Sequence, residues 1–185
     1  PSVASAIVKY QLTEHMRKLV IDAMDIHGGS GICLGPRNIL GRVYQALPIS
    51  ITVEGANLLT RALIIYGQGA VRCHPYVLAE MHAVAAPDRA RAVKTFDRAI
   101  FGHIGFTISN GVRAFWLGLT GAWLAGVGVD GPMRRYCQKL TRLSAAFAFI
   151  SDMAMLTLGG SLKRREKISG RFADVLSHMY LASAV

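Results

Sequence analysis

A single carboxylate stands in the stretch Ile49-Ser50-Ile51-Thr52-Val53-Glu54-Gly55-Ala56-Asn57-Leu58-Leu59-Thr60-Arg61. Its neighbours are apolar or small, and a carboxyl group in such surroundings tends to have a raised pKa because burial disfavours its charged form. A carboxylate of that kind is a candidate general base near neutral pH, and the glycine after it lets a ligand approach the backbone closely. The same pattern also fits an ordinary helix start, with Thr52 or Asn57 as the cap and Glu54 near the positive end of the helix dipole.

A glycine-rich turn lies upstream, in Asp22-Ala23-Met24-Asp25-Ile26-His27-Gly28-Gly29-Ser30-Gly31. Glycines of this kind end helices, and they also leave backbone N–H groups open to phosphate oxygens. Two further motifs follow downstream, Gly67-Gln68-Gly69-Ala70-Val71-Arg72-Cys73-His74-Pro75-Tyr76-Val77 and Leu158-Gly159-Gly160-Ser161-Leu162-Lys163-Arg164-Arg165-Glu166. The Gly-Gly-x-Gly turn alone is weak evidence, whereas the ordered series is specific.

The composition indicates a folded chain with a sizeable core. Hydrophobic residues make up 52% of it and charged residues 17%, which excludes disorder. The three cysteines (Cys33, Cys73 and Cys137) show neither metal-ligand spacing nor a disulfide framework, and the six histidines form no cluster along the sequence, so we expect no metal site.

The net charge of +10 is spread along the chain. Its one dense run is Lys163-Arg164-Arg165-Glu166-Lys167, which fits a solvated helix end, a contact with acidic lipid head groups or a phosphate-bearing ligand. Aromatic residues do not alternate with these charges, so the sequence does not indicate a nucleic-acid partner.

The hydrophobic periodicity predicts an all-α chain, because no useful length of period-2 alternation occurs. We expect a first helix to about Ile26, a short one at 37–45 that Pro48 would end, and another at 53–66 that the stretch 67–75 would break or bend. Later helices are expected at 76–85, 89–113, 133–158 and 169–184. In the helix at 133–158, one apolar stripe comprises Leu143, Ala146, Phe147, Ile150 and Ala154.

Two long apolar stretches raise the possibility of a membrane span. The uncharged stretch 114–129 is shorter than the ~20 residues that a spanning helix needs. The stretch 143–162 has Asp152 in its middle, and a charge at that depth is costly. Both stretches therefore fit buried bundle helices better than membrane spans. Contact at the membrane surface is more plausible than insertion.

Taken in order, these motifs resemble the acyl-coenzyme A dehydrogenase family, and in particular its large bacterial members. The resemblance covers essentially the whole chain and implies an all-α fold. Residues 1–75 would form the C-terminal helical-bundle part of the dehydrogenase fold, and residues 76–185 the helical extension of the large bacterial members. Because the chain starts at Pro1 inside the last of three family domains, we expect it to be part of a longer protein.

The resemblance also implies the roles of individual residues. Glu54 would be the catalytic base, and Gly55 would contact the substrate. Ala56, Asn57 and Leu58 would contact the flavin, and Gly28 and Gly29 would lie against the adenosine diphosphate part of FAD on a neighbouring subunit. The chain departs from the family pattern at Ala56, where threonine is commoner, and at Asp25, where glutamine is common and where an acid is unfavourable near a pyrophosphate.

The implied function is flavin-dependent α,β-dehydrogenation of medium- or long-chain fatty acyl-CoA in β-oxidation. The implied partners are FAD, the acyl-CoA, an electron-transfer flavoprotein or equivalent acceptor, and further copies of the chain in a homo-oligomer. We expect a cytoplasmic protein with possible peripheral contact at the inner membrane. The alternative is a non-catalytic basic helical module that binds anionic membrane surfaces.

Overall fold

The computed structural model describes residues 2–53 and 55–184, without the side chain of Ser2. Every regular element in that part of the chain is helical, which confirms the all-α fold. The elements in chain order are α1 (Ser2–His27), α2 (Gly29–Ile32), α3 (Ile39–Thr52), α4 (Asn57–Leu59), a π-helix (Thr60–Gln68), α5 (Gly69–Arg72), α6 (Val77–Ala85), α7 (Arg89–Leu119), α8 (Met133–Leu158), a 3₁₀-helix (Gly159–Arg164) and α9 (Glu166–Ser183).

Local capping chemistry defines several helix ends. Gly28 ends α1 with φ +52°, a conformation that favours glycine. The side chain of Asn38 caps α3 by accepting a hydrogen bond from the N–H of Gly41 at 2.8 Å. Asp88 caps α7 in the same way, accepting from the N–H groups of Ala90 and Arg91.

The helix break expected at Pro48 does not occur. Helix α3 runs through Pro48 to Thr52, because Leu47 and Ile51 are buried one turn apart on the same face and their packing outweighs the missing proline N–H. The next helix begins at Asn57, and the expected break within 67–75 does occur, at Cys73, after α5 ends at Arg72. The helix continues past Gly67 to that point. Gly67 permits this, since a Cβ there would lie 3.2 Å from the carbonyl oxygen of Ala62; glycine therefore fits the packed π-helix.

The main core joins the N-terminal helices to the end of the chain. Its fully buried members include Ile7, Ile65 and Tyr66 from the first half, and Leu162 and Ala173 lie against them. The ring of Tyr66 stacks on that of Phe172, with the centroids 4.5 Å apart, a favourable aromatic arrangement. Residues 1–75 and 76–185 thus share one core, and the domain boundary near residue 75 stays a prediction.

A second cluster closes the turn between α7 and α8. Leu117, Ala122 and Ala125 are buried there. The side-chain amide of Gln138 donates to the carbonyl of Trp123 at 3.0 Å and to that of Ala125 at 3.3 Å. These hydrogen bonds explain how a polar residue of α8 is buried in this turn.

Helix α8 does not bury its whole apolar stripe. Leu143 and Ile150 are half exposed, whereas Ser151 and Asp152 are buried, because Asp152 has polar partners on neighbouring helices. The stretch Met133–Arg164 is nevertheless long and apolar enough to cross a membrane. Its 18-residue apolar segment has a mean hydropathy of 1.4, and 17% of that segment is buried. A second candidate, Ile39–Thr52 with Asn57–Arg72, is bent by 41°. Length and composition alone support both candidates. The expectation that the stretches 114–129 and 143–162 do not span a membrane stays a prediction.

Candidate functional site

Lys9 anchors the turn around position 54 from helix α1. Glu54 itself lies outside the described residues, but the chain on both sides of it is described. The ammonium of Lys9 donates to the carbonyl of Ile51 at 3.2 Å, to that of Gly55 at 2.9 Å and to Oδ1 of Asn57 at 2.7 Å. One side chain therefore fixes the end of α3, the turn and the start of α4.

Asn57 ties the same turn to α1 a second time. Its side chain is only 4% exposed, and its amide nitrogen donates to Oγ1 of Thr13 at 2.9 Å and to Oε1 of Glu14 at 2.7 Å. Together with the contact from Lys9, these bonds engage both the oxygen and the nitrogen of the Asn57 amide. The side chain therefore faces the protein interior, and the predicted flavin contact of Asn57 would have to come from its backbone.

The neighbours of Asn57 are oriented differently. Ala56 and Leu58 are exposed, Leu58 by 75%, so both predicted flavin contacts lie where another group can reach them. Gly55 adopts φ +103°, which a residue with a Cβ adopts only at a cost. The backbone conformation thus favours glycine at this position.

The glycine turn at residues 28–31 is open on one side. A Cβ built on Gly28 or on Gly29 would meet no atom within 4 Å. A cavity of about 780 Å³ adjoins the turn, and His27, Ser30 and Arg37 contribute to its lining. The backbone of this turn is therefore accessible to an external group.

Asn38 holds that turn in place, a role that the sequence pattern did not indicate. Its side-chain nitrogen donates to the carbonyl of Gly31 at 2.6 Å and to that of Cys33 at 3.1 Å. The partners are up to seven residues away along the chain, too far for a capping pattern to reveal. Asn38 thus links the glycine turn to the start of α3.

A bidentate ion pair joins the π-helix to α9. Nε of Arg61 donates to Oδ1 of Asp174 at 2.6 Å, and Nη2 donates to Oδ2. These hydrogen bonds raise the pKa of the guanidinium. Gly170 leaves room for them, since a Cβ there would lie 3.2 Å from the guanidinium carbon.

Two family models match the chain. The model described as "Acyl-CoA dehydrogenase, C-terminal domain" matches residues 1–68, and the model described as "Acyl-CoA dehydrogenase, C-terminal, bacterial type" matches residues 71–185. The chain belongs to the acyl-CoA dehydrogenase family. No solved structure matches it. Lys9, Asn57 and the glycine turn of this acyl-CoA dehydrogenase chain lie in the first matched region, and the pair Arg61–Asp174 connects the two regions.

The bacterial-type region of this acyl-CoA dehydrogenase contains a histidine–carboxylate cluster that no sequence spacing indicated. Nε2 of His74 lies 3.1 Å from Oδ1 of Asp152, and Nε2 of His103 lies 3.6 Å from the same oxygen. Nδ1 of His103 lies 2.8 Å from Oε1 of Glu80, and Thr107 donates to Oδ2 of Asp152 at 2.7 Å. Burial, the dominant cause, lowers the pKa of His74.

The ligand atoms of His74, His103 and Asp152 are close enough together to hold a metal ion, but the tautomer of His74 disfavours one. Its Nδ1 accepts the N–H groups of Tyr76 and Val77, each at 3.2 Å. A neutral ring that accepts at Nδ1 carries its proton on Nε2, and a protonated Nε2 cannot ligate a metal. The cluster is therefore best described as a polar contact among α6, α7, α8 and the segment before α6. The expectation of no metal stays a prediction.

The basic run lies at the surface. Residues 163–167 are all exposed, and within the described part of the chain no salt bridge engages them. Their placement fits each of the three interpretations made from the sequence.

Proposed function

We propose that this chain is the C-terminal part of a flavin-dependent enzyme that converts medium- or long-chain fatty acyl-CoA to trans-2-enoyl-CoA in β-oxidation. Family membership supports the reaction class. The observation that carries the proposal is the turn around Glu54, which α1 anchors on both sides through Lys9 and Asn57. Such anchoring is what a base needs if it is to meet one C–H bond of a substrate.

In the proposed reaction Glu54 removes the α-proton of the thioester. The backbone N–H of Glu54 would hydrogen-bond the thioester carbonyl and stabilise the enolate charge that develops there. Gly55 would line the substrate, and its φ of +103° sets the direction of the backbone beside the base. An acyl chain that fills the pocket expels water and raises the pKa of the carboxyl, which makes it a stronger base.

The exposure of several residues with predicted cofactor contacts supports FAD as the cofactor. When bound, FAD supplies the acceptor for the hydride that leaves the β-carbon. The exposed Ala56 and Leu58 are free to touch the flavin by van der Waals contact, and the open backbone of Gly28 and Gly29 suits the adenosine diphosphate part of FAD on a neighbouring subunit. The exposed Asp25 opposes a pyrophosphate electrostatically and weakens the support for that second contact.

The remaining partners follow from the family. The electrons would pass to an electron-transfer flavoprotein or an equivalent acceptor, and the enzyme would be a homo-oligomer because each flavin site is completed by a neighbouring copy. We place the enzyme in the cytoplasm, with peripheral contact at the inner membrane.

The exposed face of α7 supports the membrane contact. Large apolar side chains recur on it at helical spacing and remain about half exposed or more. The members of this apolar face are Phe101, Ile104, Ile108, Val112, Phe115 and Leu119. A net charge of +10 complements an anionic lipid surface.

Vesicle flotation tests this contact. The protein should float with vesicles that contain anionic lipid, and less so at high salt. The double variant Phe101→Ser with Phe115→Ser should float less than the control Val84→Ser, which changes an exposed apolar residue outside this face. Absence of flotation at low salt would exclude the membrane contact and, with it, the alternative of a non-catalytic module that works at anionic surfaces.

Substrate-dependent bleaching of the flavin tests the enzymatic proposal. The complete protein should purify with FAD, and its flavin absorbance should fall under anaerobic conditions on mixing with saturated acyl-CoA thioesters. Medium- and long-chain thioesters should act faster than short ones. A protein without flavin, or one whose flavin stays oxidised with every chain length, would contradict the proposal.

A further inference from the structure

The hydrogen bonds of Lys9 match its donor capacity. An ammonium group has three N–H donors, and Lys9 meets three acceptors at 2.7, 2.9 and 3.2 Å. Two of them are backbone carbonyls, which stay in place whatever the side chains do. Such full engagement orients the group more strictly than a surface ion pair does.

The acceptors lie on both sides of position 54. Ile51 belongs to the last turn of α3, Gly55 follows position 54 directly, and Asn57 begins α4. Two helices meet at this turn, and α1 is the element that bridges them. Without the ammonium, the carbonyls of Ile51 and Gly55 would lose this common donor, and the turn would be free to change its direction.

Lys9 also brings charge to the turn. Among the described residues no carboxylate forms a salt bridge with its ammonium, and its acceptors are neutral oxygens. No salt bridge among the described residues therefore neutralises this charge, and a cation held against the turn at the carbonyl of Gly55 favours the ionised form of a neighbouring carboxyl group.

We propose that Lys9 is a positioning residue for the base at position 54: it fixes the direction of the turn and, through its charge, the pH range in which the base is ionised. This inference rests on the proposed function. Lys9 acts through the backbone of the turn and needs no contact with the substrate.

The test measures anaerobic flavin reduction by a saturated acyl-CoA in a stopped-flow instrument, using the complete protein. Lys9→Met keeps the length of the side chain and removes both donors and charge, Lys9→Arg keeps both, and Lys18→Met makes the same change on the exposed side of α1. Lys9→Met should reduce the limiting rate at least about tenfold with flavin content and substrate affinity kept. It should also move the pH midpoint of the rate upward, because loss of a nearby cation disfavours an ionised base.

The controls separate the possible failures. Lys9→Arg should recover most of the rate, and Lys18→Met should match the wild type in rate and pH midpoint. A Lys9→Met enzyme with normal rate and midpoint would overturn the role of Lys9, provided that Glu54→Gln is inactive. If Glu54→Gln reduces its flavin normally, the proposed function fails and the inference about Lys9 fails with it.

A structural role alone gives a different result. A merely destabilised Lys9→Met enzyme would melt earlier but keep its pH midpoint, and that outcome also counts against the proposal. If Lys9→Met does not retain flavin, Lys9→Gln replaces it in the experiment. The glutamine keeps a hydrogen-bond donor but is uncharged and shorter, and its pH midpoint of flavin reduction should also move upward.

Discussion

The amide of Asn57 gives the sharpest stability prediction, because its three partners are defined. Replacement by alanine removes two hydrogen bonds to charged groups, Lys9 and Glu14, and one to the hydroxyl of Thr13. At about 1.5–3 kcal/mol for each charged bond and about 1 kcal/mol for the neutral one, the raw sum is about 4–7 kcal/mol. The side chain of Glu14 is 35% exposed, so water can replace the hydrogen bond that Glu14 loses, and the net cost is smaller than the raw sum.

We therefore expect Asn57→Ala to lower the free energy of unfolding by about 2–3 kcal/mol. In a chain of this size that loss corresponds to a decrease in melting temperature of about 5–10 °C. Urea unfolding of the 185-residue chain, followed by circular dichroism, measures it. Leu58→Ala is the matched control, since Leu58 is 75% exposed and should change stability by less than about 0.5 kcal/mol.

Asn57→Asp tests the same network by repulsion. The variant keeps the oxygen that accepts from Lys9 but places a second carboxylate where the nitrogen now donates to Glu14 at 2.7 Å. It should be less stable than the wild type at neutral pH, because the repulsion replaces a hydrogen bond, and it should recover as the pH falls and one carboxyl is protonated. Stability within 0.5 kcal/mol of the wild type for Asn57→Ala, or loss of flavin without loss of stability, would refute the anchoring role.

Three further changes have defined outcomes. Gly55→Ala should cost about 1–3 kcal/mol in thermal or urea unfolding, because its φ is +103°; an unchanged midpoint would mean that the turn relaxes. Arg61→Met removes the ion pair with Asp174, in which both side chains are about one-third exposed. We therefore expect the free energy of unfolding to fall by about 1 kcal/mol, and by less in high salt. A loss that does not depend on salt would contradict this. Burial lowers the pKa of His74 in the folded chain below its usual value of 6.5. Below that pH the unfolded chain therefore binds a proton that the folded chain does not. The contribution of neutral His74 to stability is present above pH 6.5 and is lost as the pH falls. His74→Asn should flatten the decline of unfolding free energy between neutral and mildly acidic pH, whereas the exposed control His178→Asn should leave it unchanged.

The sequence was sufficient for the fold class and for the existence of the long helices, although α7 continues to Leu119, beyond the predicted end at 113. The bounds of α8 agree with the predicted 133–158, since a Gly-Pro linker and a Gly-Gly pair flank an uninterrupted helical pattern. The family resemblance is likewise confirmed over both halves of the chain. These features depend on local propensity and on motif order, which the sequence displays directly.

The side-chain anchors depend on contacts that are distant in sequence, and no local pattern reveals them. Lys9 lies more than forty residues from its acceptors, and the cluster of His74, His103 and Asp152 combines three separate segments. The buried face of α8 could not be predicted from its sequence either. Leu143 is half exposed and Asp152 is buried, because polar partners on neighbouring helices decide which face is buried. The assigned roles of Glu54, Gly55, Ala56, Asn57, Leu58, Gly28 and Gly29 stay predictions.

Glu54→Gln in the complete protein tests most directly whether this chain carries the catalytic base. Glutamine is nearly isosteric and cannot accept the α-proton, so the flavin should remain bound while its rate of reduction by saturated acyl-CoA falls by about 10²–10⁴-fold. The same enzyme should still bind the acyl-CoA. Flavin reduction within twofold of the wild-type rate would contradict the assignment of Glu54 as the base.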